Sequence, residues 1–101
     1  MAFVKRDFPT LAEVNVMRVL QDAPKGLYGL QIVAGSNGTI SRGSVYVLLD
    51  RLERKGFIDV QRTDMKGAYP GLQRPHYKLN AEGRRVLAAA ESLGLLAAGA
   101  R

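Results

Sequence analysis

The sequence predicts a mainly α domain with one β-hairpin, its elements in the order helix, helix, helix, strand, strand, helix. Three observations support this fold class. Apolar residues recur every three or four positions over most of the chain, as in amphipathic helices. Between residues 57 and 79 the period shortens to two, as in strands. With 101 residues and 47% hydrophobic side chains, the chain can build one core.

The first helix is predicted to begin at a capping box. Thr10 and Glu13 are spaced so that the Thr10 hydroxyl accepts the Glu13 amide and the Glu13 carboxylate accepts the Thr10 amide. Apolar residues then recur until Pro24 and Gly26, which end the helix. A second, short helix is predicted over residues 27–34, followed by glycine and asparagine residues that stop it.

The strongest helical pattern follows Ser41, its predicted N-cap, after a short extended segment at Thr39 and Ile40. Apolar residues at i, i+3, i+4 and i+7 predict one buried stripe, which consists of Val45, Leu48, Leu49 and Leu52. Lys55 and Gly56 end this helix, with a cation near its negative end and a glycine at its C-terminal cap.

Strands are predicted over residues 57–63 and 75–79, joined by an exposed, mobile tip over residues 64–74 that is rich in glycine and proline. Asn80 is the predicted N-cap of a last helix. Its apolar stripe consists of Val86, Leu87, Ala90, Leu93 and Ala97. A terminal helix on so small a domain is expected to bury this stripe against a second copy, although packing on its own domain is the alternative.

This element order is that of a winged helix-turn-helix. A helix that enters the major groove of B-DNA reads base edges with small or donor-bearing side chains in its N-terminal half. The formal net charge is +6, and residues 41–78 hold eight basic and four acidic side chains, so most of the surplus lies where DNA would bind. The predicted DNA contacts are Ser41, Arg42, Gly43, Ser44, Tyr46 and Arg51 on the helix and Lys66 and Arg74 in the wing.

Several of these side chains have a structural alternative. Tyr46 could pack on the hairpin instead of facing DNA, and Arg42 and Arg51 could be solvated surface charges. Arg54 and Lys55 could do no more than stabilise the negative end of the helix.

Enzyme and metal chemistry find little support in the sequence. Cysteine is absent and His76 is the only histidine, so no metal site is expected. The nine carboxylates are scattered, and neither a glycine-rich phosphate loop nor a nucleophile elbow occurs, so we predict no catalytic residue and no cofactor. Without a signal peptide or an apolar run of membrane-spanning length, the chain is expected to be cytoplasmic.

Three blocks of sequence resemble PadR-type transcriptional regulators. These are the recognition-helix block at residues 40–58, the tyrosine-glycine stretch at 27–32 and the wing exit at 74–84. The resemblance implies a bacterial or phage repressor that binds a palindromic operator as a homodimer and is often relieved by a small aromatic or drug-like ligand. The wing of this chain is longer than is typical of the family. Tryptophan is absent, which excludes an effector pocket built on tryptophan stacking.

We therefore expect a flexible N-terminal arm at residues 1–9, a winged-helix DNA-binding domain at 10–80 and a C-terminal dimerisation helix at 81–101. Two functions remain open from the sequence. The chain is either a sequence-specific repressor that binds double-stranded DNA through residues 41–55 and 64–74, or a winged-helix protein-interaction module that binds no DNA.

Overall fold

A computed structural model describes residues 8–64 and 73–94 of the chain, and the side chains of residues 8–62 and 75–94. Its elements are α1 (Leu11–Gln21), β1 (Leu27–Tyr28), α2 (Gly29–Gly35), α3 (Arg42–Lys55), β2 (Ile58–Asp64), β3 (Gln73–Leu79) and α4 (Ala81–Ser92). The predicted fold class, a mainly α winged helix-turn-helix, is confirmed, with one strand more than expected.

Helix α1 begins with the predicted capping box. The Thr10 amide donates to Glu13 Oε1 at 3.0 Å, and the Glu13 amide donates to Thr10 Oγ1 at 3.2 Å. These two bonds satisfy amides that a helix start otherwise leaves without partners. The inner face of α1 lies at the centre of the core and consists of Val14, Val16, Met17 and Leu20.

Strand β1 corrects the predicted start of the second helix. Leu27 and Tyr28 are extended and pair with Tyr77 and His76 of β3, which gives an antiparallel sheet in the order β1-β3-β2. A two-residue strand has no measurable period, so the sequence pattern could not separate it from the helix that follows. Helix α2 therefore begins at Gly29.

The turn between α2 and α3 is held by the buried side chain of Ser36. Its hydroxyl donates to the Val33 carbonyl oxygen at 2.8 Å and accepts the Ile40 amide at 3.1 Å. Ile40 enters the core, and neither it nor Thr39 belongs to a strand. This compact turn fixes the angle at which α3 leaves α2.

The hairpin and α4 are joined through Asn80. Strands β2 and β3 pair from Ile58 and Leu79 outward, so both strands are longer than predicted. Asn80 caps α4 as expected: its Oδ1 accepts the Gly83 amide at 2.8 Å. Its Nδ2 also donates to the Gly56 carbonyl oxygen at 3.0 Å, which links the start of α4 to the end of α3.

The inner face of α4 lies in the core of its own domain. Val86, Leu87 and Ala90 are at most 6% exposed. These three residues therefore follow the alternative, packing on their own domain, because they belong to the core cluster and α4 packs against α1. Leu93 is 71% exposed, and Ala97 lies outside the described residues.

Candidate nucleic-acid interface

Helix α3 is buried on one side and free on the other. The predicted stripe is at most 7% exposed and faces α1, α2 and the sheet. The free side is formed by Arg42, Gly43, Tyr46, Val47, Asp50, Arg51 and Arg54, all of which are exposed. The winged helix therefore presents α3 to the surroundings with its N-terminal half uncovered.

The N-terminus of α3 differs in detail from the prediction. Ser41 occupies the N-cap in an extended conformation, but its side chain does not cap the helix. Its hydroxyl is instead hydrogen-bonded to the Ser44 hydroxyl at 2.8 Å. Within the described chain, the amides of Arg42 and Gly43 make no hydrogen bond. Free amides at the positive end of a helix dipole are suited to donate hydrogen bonds to a phosphate oxygen.

The arginines of α3 fall into two groups. Arg54 forms an ion pair with Asp50, with the guanidinium nitrogen 2.7 Å from the carboxylate. Arg42 and Arg51 contact no carboxylate among the side chains that the structure describes. Their charges are therefore available to an anionic partner, whereas that of Arg54 is already compensated.

Lys55 has a structural role that the sequence did not reveal. Its Nζ lies 2.6 Å from Glu13 Oε1 and donates to the Phe8 carbonyl oxygen at 3.3 Å. Glu13 is 1% exposed and the Lys55 side chain 17%, so this ion pair is largely buried and ties the end of α3 to the start of α1. The two residues are 42 positions apart, and Glu13 carried only the signal of a capping box. Lys55 therefore does not face a DNA partner.

Tyr46 lies at the edge of the free side, with about half of its surface exposed. One edge of its ring rests on Gly29 at the start of α2, where a Cβ atom would come within 2.5 Å of Tyr46 Cε1. Gly29 therefore allows the tyrosine ring to lie close against α2. The tyrosine-glycine stretch at residues 27–32 is one of the three blocks that resemble PadR-type regulators. The sequence did not predict its contact with Tyr46 of α3.

The wing residues remain predictions. Lys66 lies outside the described residues, as does the side chain of Arg74, whose backbone pairs with Thr63 at the end of the hairpin. His76 packs its ring edge-on against Tyr28, with the ring centroids 4.8 Å apart. Within residues 8–64 and 73–94 no three metal-ligating side chains come together, and no helix is long and apolar enough to cross a membrane.

The fold and the free face of α3 define a class of protein. A helix-turn-helix followed by a β-hairpin, with the third helix uncovered, is the architecture of winged-helix DNA-binding proteins. The model of the transcriptional regulator PadR-like family matches residues 16–89, and the chain therefore belongs to this family. This match confirms the resemblance seen in the sequence. Members of the family are transcription regulators and not enzymes.

Solved structures agree with this assignment. A PadR family transcription regulator from Clostridium difficile superposes with a TM-score of 0.68 at 20% identity, over 90% of this chain and 94% of that one. A PadR family regulator from Eggerthella lenta superposes with a TM-score of 0.66 at 26% identity, over 89% of this chain and 80% of that one. Comparison with curated proteins gives no match.

Proposed function

We propose that this protein is a cytoplasmic, sequence-specific repressor that binds a palindromic operator as a homodimer. Helix α3 enters the major groove, and the wing at residues 64–74 contacts the adjacent backbone or minor groove. Two-fold symmetry then requires half-sites about one helical turn apart, or a multiple of it.

The uncompensated charge on α3 carries this proposal. Arg42 and Arg51 have no carboxylate partner within the described chain, and the free amides of Arg42 and Gly43 lie at the same end of the helix as the Arg42 side chain. Phosphates supply the negative charge that these cations and amides lack as a partner. Phosphate contacts also position a recognition helix so that neighbouring side chains reach base edges. Tyr46 and Ser44 are such neighbours.

Selection of duplexes from a random pool, followed by gel-shift titration at fixed salt, tests the proposal. We expect Arg42→Ala and Tyr46→Ala each to weaken binding by about fivefold or more, while both variants keep the folded circular dichroism spectrum of the wild type. Arg42→Ala should also reduce the slope of log affinity against log salt by about one. Arg84→Ala is the control, because it removes an exposed arginine from α4.

Two results would overturn the proposal. Equal affinity of the wild type and both variants would remove α3 from the interface. Failure to select any duplex would leave the protein-interaction module as the function.

The proposed dimer depends on the outer end of the last helix. Leu93 is the most exposed of the large apolar side chains in the described chain and follows the last turn of α4 directly. Burying it against a second copy removes apolar surface from water, and Leu93 is not among the residues proposed to contact DNA. Light scattering at micromolar concentration should show a dimer for the wild type and a monomer for Leu93→Asp. Leu11→Asp, a change at an exposed leucine of α1, is the control, and a monomeric wild type would refute the dimer.

A further inference from the structure

Val47 is an apolar side chain at the centre of an otherwise polar surface. It is 51% exposed and lies opposite the buried stripe of α3, one turn after Gly43 and one turn before Arg51. Gly43 has no side chain and meets no other atom within 4 Å at the position of a Cβ, so the surface beside Val47 is open. Val47 was not among the residues predicted to contact DNA.

Neither helix stability nor core packing accounts for valine at this position. A β-branched residue is a weaker helix former than alanine, lysine or glutamate, and an exposed one gains nothing from packing to offset this. The cluster of buried core side chains and the apolar residues packed against it do not include Val47. Its neighbour Tyr46 rests on Gly29, which draws the tyrosine ring towards α2 and leaves the valine uncovered.

The surroundings of Val47 indicate what could cover it. Arg51, which has no carboxylate partner among the described side chains, lies one turn after Val47 on the same face of α3, the free amides of Arg42 and Gly43 lie at the start of the helix, and Arg54 is neutralised by Asp50. A polyanion that contacts both the amides at the start of α3 and Arg51 would therefore pass over Val47. The apolar group that DNA presents in its major groove is the 5-methyl group of thymine.

We propose that Val47 reads a thymine through its 5-methyl group and makes the protein select an A·T pair at one position of each half-site. This inference rests on the proposed function, because it requires α3 to lie in the major groove. The small Gly43 permits the base edge to approach the helix closely, and the valine methyls replace water around the thymine methyl.

The test uses the duplex of highest affinity selected from a random pool by the full chain. Each thymine is replaced singly by deoxyuridine, which pairs identically but lacks the 5-methyl group, and Kd is measured by fluorescence anisotropy at fixed salt. For the wild type, one thymine in each half-site should be sensitive, with a loss of about fourfold in affinity per methyl group. Val47→Ala should bind the thymine and deoxyuridine duplexes equally. Leu11→Ala, which truncates an equally exposed side chain on α1, should retain the wild-type sensitivity.

Three outcomes separate this inference from the proposed function. If deoxyuridine has no effect at any position, or has the same effect on the wild type and on Val47→Ala, reading by Val47 is refuted while DNA binding stands. If no duplex is selected, DNA binding is refuted and the inference fails with it. Sensitivity that is lost only in Val47→Ala establishes the contact.

Discussion

Replacing Gly83 with alanine tests how closely α4 docks on the rest of the domain. Gly83 is buried in the first turn of α4, and a Cβ at this position would overlap the carbonyl oxygen of Phe57 and lie 2.7 Å from Leu79 Cδ1. The same carbonyl oxygen accepts the amide of Asn80 at 3.2 Å. Because the obstacle includes backbone, it cannot be relieved by rotating a side chain.

The cost of Gly83→Ala follows from these contacts. The start of α4 must move away from Phe57 by roughly 1 Å, which breaks the Asn80 hydrogen bond at a cost of about 1 kcal/mol. Loosened packing of Val86 and Leu87 costs about 2 kcal/mol more. Alanine recovers about 1 kcal/mol through its higher helix propensity. We therefore expect a net loss of about 2 kcal/mol in the free energy of unfolding and a Tm lower by about 10 °C.

Gly43→Ala is the matched control, because it makes the same change inside a helix where the new methyl group meets no atom within 4 Å. It should stabilise the protein by up to about 1 kcal/mol, so the two variants should differ by about 3 kcal/mol. Urea unfolding followed by circular dichroism measures both, at one protein concentration because any dimer makes stability depend on it. Equal stability of Gly83→Ala and Gly43→Ala would refute the close docking of α4.

Two further predictions concern ionisable side chains. Lys55→Met leaves the buried Glu13 carboxylate without its cationic partner and should lower the free energy of unfolding by about 3 kcal/mol. Arg54→Met removes only the exposed ion pair with Asp50 and should lower it by less than about 1 kcal/mol. Similar losses in urea unfolding would contradict this difference. Burial raises the pKa of Tyr77 above its usual 10.0, so the unfolded chain loses this proton first and stability should fall as the pH rises past about 10. Tyr77→Phe should flatten that decline in urea unfolding between about pH 9 and 11, and an unchanged decline would show that Tyr77 does not contribute to it.

The features that the sequence predicted correctly act within one or two turns of the chain. Thr10 and Glu13 satisfy each other's amides across three residues. Gly56 ends α3 in a left-handed conformation with φ of 82°, which glycine adopts without strain. Such signals depend on local geometry and hold whatever the rest of the domain does.

The features that the sequence missed join residues far apart along the chain. β1 exists because Leu27 and Tyr28 meet the free edge of β3, about fifty positions later in the sequence. The contact of Gly29 with Tyr46 likewise requires two different helices to be placed first. An apolar stripe such as that of α4 indicates that one face is buried, but it carries no information on which surface covers it. That is why the expectation of a second copy for Val86 differed from what the structure shows.

Counting charges along the sequence could not separate paired from unpaired cations within residues 41–78. Among the described side chains of residues 41–78, Arg54, Lys55 and Arg62 each contact a carboxylate, while Arg42, Arg51 and Lys78 do not. A paired cation contributes little to the attraction of a polyanion, because its field is largely cancelled nearby. Within α3, the cations without a carboxylate partner are therefore Arg42 and Arg51, and the ion pairs of Arg54 and Lys55 leave the last turn of the helix close to neutral. Since a recognition helix contacts base edges through its N-terminal residues, the proposed complex would place the charge of Arg42 next to Ser44, Tyr46 and Val47, the side chains that we propose to contact bases.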